Sequence, residues 1–133
     1  MALVVPNIGE TKLLEWILKS TGTDTVLKLY SNDYTPVAAS TNGSFTEATF
    51  TGYVEKDIAR TDWASATTNG SGKAEITSPD LSWSATSSQT VYGYFVQDAS
   101  GNLLFAERFS SARALESGDT LTISPKFTLT SEA

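Results

Sequence analysis

The chain contains no cysteine and no histidine. Without cysteine there is no disulfide, thiolate zinc site, iron–sulfur cluster or thiol nucleophile. Without histidine there is no Ser-His-Asp triad, no HExxH zinc site and no imidazole base. Basic residues are scarce: 9 Lys and Arg stand against 15 Asp and Glu, giving a net charge of −6 and a pI near 4.5. That balance opposes binding to a phosphate backbone, which needs clustered cations. No apolar run approaches the roughly 18 residues of a spanning helix. The apolar start, Met1 to Val5, stops at Pro6 with no basic flank, so neither a signal peptide nor a membrane segment is expected. These absences leave carboxylate chemistry, oxygen-ligand cations, or no chemistry at all.

What is present suits a folded β protein. The chain has 133 residues, 40% of them hydrophobic, enough for one domain with a core that needs no staples. Serine and threonine together number 36, a composition that fits wide, polar sheet faces. No internal repeat appears, and no linker divides the chain.

Residues 7–20 read as the one helix. Leu13, Leu14, Ile17 and Leu18 form an apolar stripe on a 3.6-residue period. Asn7 is the expected N-cap, Glu10 its capping-box partner, and Gly22 the stop. From Thr25 the period changes to two. Residues 25–31 alternate, 44–58 read as one bent strand or two split at Gly52, and 73–86 hold two short strands around Ser78-Pro79-Asp80. Segments 90–98 and 102–110 flank a glycine turn as a hairpin. Residues 119–131 alternate strongly around Pro125, where a bulge or edge strand is expected. The predicted fold is a mainly β single domain over 1–133: an arm at 1–6, a helix at 7–20, and an antiparallel β-sandwich, jelly-roll-like or Ig-like, at 25–131.

Each candidate site has a plainer explanation beside it. Glu47, Glu55, Asp57, Asp62 and Glu107 are the available acids, but Lys56 and Arg60 flank the first group as on a solvated face. Asp98-Ala99-Ser100-Gly101-Asn102 lacks the further acids of a calcium loop and is explained by a hairpin turn. Residues 67–72 are glycine-rich but lack P-loop spacing, and read as an outward loop tip. Trp16, Trp63, Trp83, Tyr30, Tyr34 and Tyr53 could stack on sugars or fill a core. Trp63, in the polar run RTDWAS, is expected to be the exposed ring and is the candidate glycan contact. The apolar arm, with Leu3, Val4 and Val5, either tucks into its own sheet or anchors the chain on a neighbour.

The segments MALVVPNIGE (1–10), SFTEATFTGY (44–53), VYGYFVQDASGNLLFAERF (91–109) and SGDTLTISPKFTLTS (117–131) resemble small virion-associated proteins of tailed bacteriophages. The resemblance runs over most of the chain and implies a β-rich, symmetric, non-enzymatic virion component. Such proteins often decorate and cement capsids, and some belong to tails or fibres. The expectation is therefore a capsid decoration protein, made in the host cytoplasm and placed on the capsid surface. Its partners would be the major capsid protein and itself, as a homotrimer in preference to a dimer, with no nucleic acid, membrane, cofactor or metal. A tail or fibre component, or a carbohydrate-binding host-adhesion module, is the alternative.

Overall fold

The computed structural model describes residues 3–20 and 24–129. The chain is mainly β, with antiparallel sheets and one short N-terminal helix, α1 (Asn7–Glu15), as the patterning predicts. The strands are β1 (Thr25–Tyr30), β2 (Lys56–Ile58), β3 (Thr67–Thr68), β4 (Ala74–Thr77), β5 (Leu81–Ser84), β6 (Gln89–Gln97), β7 (Leu103–Leu115), β8 (Thr120–Ile123) and β9 (Lys126–Leu129). They form a four-stranded sheet in the order β2-β1-β6-β7, a three-stranded sheet β3-β4-β9 and a two-stranded sheet β5-β8. The chain divides into two compact units, each drawn from separate segments: 1–24, 58–80 and 124–133 in one, 25–57 and 81–123 in the other.

The first unit holds α1 and the sheet β3-β4-β9, against which the helix packs. Pro6 is the N-cap, not Asn7: its fixed φ of −61° and extended ψ of 158° set the entry, and its carbonyl accepts the Glu10 amide at 3.0 Å. Asn7 is therefore the first helical residue. After Glu15 the helix widens into a π turn, Trp16–Ser20. The buried stripe is Glu10, Leu14 and Leu18, narrower than predicted; Leu13 faces solvent and Ile17 is half-buried. Successive residues stand about 100° apart round a helix, so a seam centred on Leu14 leaves Leu13 outside it. The expected stop at Gly22 and the end of the predicted sandwich at 131 lie outside the described residues. Ala74, Ile76 and Trp63 complete the core side of this unit.

The second unit is built on an aromatic cluster. Phe45 stacks on Phe95 at 4.6 Å and 9°, with Tyr30 tilted at 4.9 Å and Tyr34 edge-on at 5.4 Å. Tyr30, Phe45 and Phe95 are buried, and the Tyr30 hydroxyl donates to the Tyr34 carbonyl at 3.0 Å. Burial raises the pKa of this hydroxyl. Of the two expectations for 44–58, the single bent strand does not form; the break at Gly52 does, with an isolated bridge before it and the short β2 after it. The segment meets β1 through that bridge at Glu47, turns at Gly52, whose φ is +102° and where an added Cβ would run into the Ser84 carbonyl, and rejoins the sheet as β2.

Two of the hairpin turns use one chemistry. Asn69 and Asp98 each accept, through a side-chain oxygen, the amides two and four residues on, and Gly72 and Gly101 take positive φ three residues on. The Asp98 carboxyl is held below its ordinary value of 3.8 by the Asn102 side-chain amide first, and then by backbone amides. Its contribution is complete above the unfolded pKa and is lost as pH falls through the lower folded one. Below pH 3.8 the Ser100 and Asn102 amides should therefore lose hydrogen-exchange protection. In Asp98→Asn the same amides should show no such acid dependence.

The strand β7 lies last in its sheet, so its outer edge has no neighbour in the sheet order. It is not a flat template. Val91 pairs with Arg113 and Gly93 with Arg108, so Phe109 to Ala112 stand against Tyr92 alone. This wide bulge, with charged Glu107 and Arg113 exposed beside it, is the device that protects sheet edges from unwanted pairing.

Candidate interaction surface

Of the acids predicted from sequence, Glu47 and Glu55 come together on a lysine. Lys28 Nζ lies 3.9 Å from Glu47 and 3.4 Å from Glu55, so two of them share one cation. Tyr53 sits beside this trio with its hydroxyl accepting the Leu29 amide at 3.4 Å; burial first, and the Glu47 charge second, push its pKa well up. Glu107 accepts the Tyr94 hydroxyl at 2.6 Å. Asp57 and Asp62 are exposed. Among the described residues no three acids come together in metal-ligating range. Both carboxylate oxygens of Asp98 are spent on its own turn.

The aromatic candidates are mostly interior. Trp63, predicted to be the exposed ring, is 1% exposed and is the largest fully buried side chain. Its polar neighbours Thr61, Asp62, Ala64 and Ser65 face solvent while the indole turns inward, and the Lys19 ammonium donates to its backbone carbonyl. That burial removes the ground for reading Trp63 as a glycan contact. Trp83 is buried too, its indole N–H donating to the Val54 carbonyl at 2.7 Å with Lys56 over the ring at 5.5 Å. Tyr34 and Tyr53 are half-buried. A shallow groove of about 410 Å³ lies between Pro36-Val37-Ala38 and the start of β7, floored by Leu103 and Phe105.

The exposed apolar surface lies elsewhere. Leu3 is 86% exposed, Val4 55%, Ile8 72%, Leu13 47% and Trp16 69%. Outside these first sixteen residues, Val37 and Val54 are the further large apolar side chains at such exposure among the described residues. Scattered single side chains of this kind are ordinary, but five on one short segment are not. Val5 differs from its neighbours in the arm: it is half-buried and folds back toward Gly9, where an added Cβ would stand 3.1 Å from its Cγ1. Leu3 and Val4 are thus the projecting members of the predicted anchor. Sequence reasoning missed Ile8, Leu13 and Trp16 as surface residues. The available signal was their position away from the Glu10-Leu14-Leu18 seam, legible only once that seam is known.

A family model for the podophage GP4 fiber I protein gp80 matches residues 5–130. The chain belongs to that family. It is accordingly a phage virion structural protein, as the resemblance in its sequence implied at the coarser level. Among curated proteins none matches the chain. The family match covers the helix and all nine strands, so it describes the whole folded part and not one borrowed motif.

Proposed function

We propose that the protein is a fibre-type virion component that works by adhering to repeated neighbours, without turning over a substrate, and that it acts as a homo-oligomer, a trimer in preference to a dimer. The carrying observation is the concentration of exposed apolar side chains on residues 3–16 of a fibre-family chain. Burying several large apolar side chains on a neighbour supplies roughly 1.5–3 kcal/mol each, which is how most stable contacts between proteins are driven. The acids, held by Lys28 and Tyr94, support the adhesive reading over a hydrolytic one.

Deleting residues 2–5 should leave the circular-dichroism spectrum and unfolding midpoint within error of the parent. It should also cut incorporation into virions assembled by complementation. A truncated protein that fills virions at normal occupancy would remove the arm from the anchoring role. Copy number on stained gels of purified virions decides between the finer assignments. A few tens of copies fit a fibre; hundreds, with the major capsid protein as partner, fit shell decoration.

A further inference from the structure

We infer that the outward face of α1, together with Leu3 and Val4, is a docking surface for a second copy of this chain, with Trp16 as its largest side chain. This rests on the adhesive reading above and names its first partner. Ile8, Lys12 and Trp16 fall at i, i+4 and i+8, one line along the helix on the side away from the buried Glu10-Leu14-Leu18 seam. Leu13 borders the line on one side and Glu15 on the other. The surface is therefore an apolar stripe carrying one exposed cation, with one half-buried acid a single step away.

That charge pattern selects the occupant. An acidic partner would satisfy Lys12 but set its charge against Glu15, and a basic partner would do the reverse. A second α1 face offers both charges in the same spacing. Lys12 and Glu15 differ by about 4.5 Å along the axis. In a two-fold antiparallel pair each copy places Lys12 level with its neighbour's Glu15, twice over. In a closed ring each copy gives one charge to each neighbour, and a lysine stem spans the offset. Both arrangements bury Ile8, Leu13 and Trp16, and tryptophan is the side chain most enriched among residues that dominate binding energy. Reciprocal like-for-unlike charges are also what makes an interface closed and self-complementary.

The test uses sedimentation velocity on the full chain. The parent should sediment as an oligomer. Lys12→Glu and Glu15→Lys, each setting like charges face to face, should each weaken association by roughly tenfold or more. The double variant Lys12→Glu/Glu15→Lys should restore it, because both charges are exchanged together. Trp63 and Trp83 are buried, so Trp16 reports alone on the surface: its emission should shift to the red on dilution of the parent, and Trp16→Ser should abolish that shift. A parent that sediments as a 14.2 kDa monomer at its highest soluble concentration overturns the inference. So does an oligomer indifferent to both single reversals and to Trp16→Ser. Either result leaves the adhesive reading standing if the chain still enters virions; failure of that reading shows instead as loss of the protein from virions.

Discussion

Replacing Trp63 by alanine should cost the fold about 3–5 kcal/mol, the range for emptying a large aromatic site in a core. Single domains are stable by only about 5–15 kcal/mol, so this one change takes a large part of the total. The side chain is 1% exposed and is the bulkiest of the fully buried ones. Its backbone is held on both sides: the Trp63 carbonyl accepts from Lys19, and the Ala64 amide donates to the Thr77 carbonyl at 2.9 Å. The site therefore cannot collapse easily around the lost ring. Urea unfolding followed by circular dichroism checks this, with Trp63→Phe as the milder companion. An alanine variant with an unchanged midpoint would place the ring outside the core. A surface sugar platform would predict that neutrality, so the two readings of Trp63 give opposite results.

Gly93→Ala should be severely damaging to the second unit. Gly93 lies in β6, a central strand, with ordinary negative φ; the constraint is space and not backbone conformation. An added Cβ would stand 2.2 Å from the Glu107 carbonyl oxygen and 2.6 Å from the Tyr30 hydroxyl. One obstacle is the backbone of the paired strand, and the other is a ring locked among Phe45, Phe95 and Tyr34. Relief requires either opening the β6–β7 ladder beside its bulge or expelling Tyr30 from the cluster. Overpacking costs about 1–3 kcal/mol where neighbours can shift, and here neither neighbour is free, so about 3 kcal/mol is expected. Thermal unfolding measures it. Combining the change with Tyr30→Phe, which removes the hydroxyl at 2.6 Å and keeps ring carbon Cε1 at 2.8 Å, should recover part of the loss; no recovery would place the clash at the strand and the ring carbon.

The pattern of a two-residue period was enough to place most strands. Leu27 and Leu29, Ala74 and Ile76, and the long run through Val96 all alternate or sit as continuous apolar stretches, and the Ser78-Pro79-Asp80 break separates β4 from β5 as predicted. Pro125 shows where such reasoning runs short. Its neighbours alternate on both sides, so the run 119–131 looks like one interrupted strand. In fact β8 pairs with β5 and β9 with β4, in different sheets. Local pattern records that a strand stops, not which partner the next one takes. The helix shows a second limit. Leu13 and Leu14 are chemically equal, and only the sheet that the helix packs on decides that Leu14 is buried and Leu13 exposed. The interaction surface was half legible for the same reason. Leu3 and Val4 stood out because their apolar run ends at Pro6, whereas Trp16 beside the apolar stripe read equally as a stacking or a core ring and Trp63 was misjudged from neighbours that point the other way.

The division into units cut from alternating stretches of chain has a consequence for synthesis. The helix is translated before every strand described, yet the sheet it packs on includes β9, which follows the other eight. That unit is left waiting for β9, while residues 25–57 and 81–123 have already been made. For the same reason neither unit is a cassette: no single cut in the chain separates the two, and every truncation that reaches past residue 24 or short of residue 124 removes part of the first.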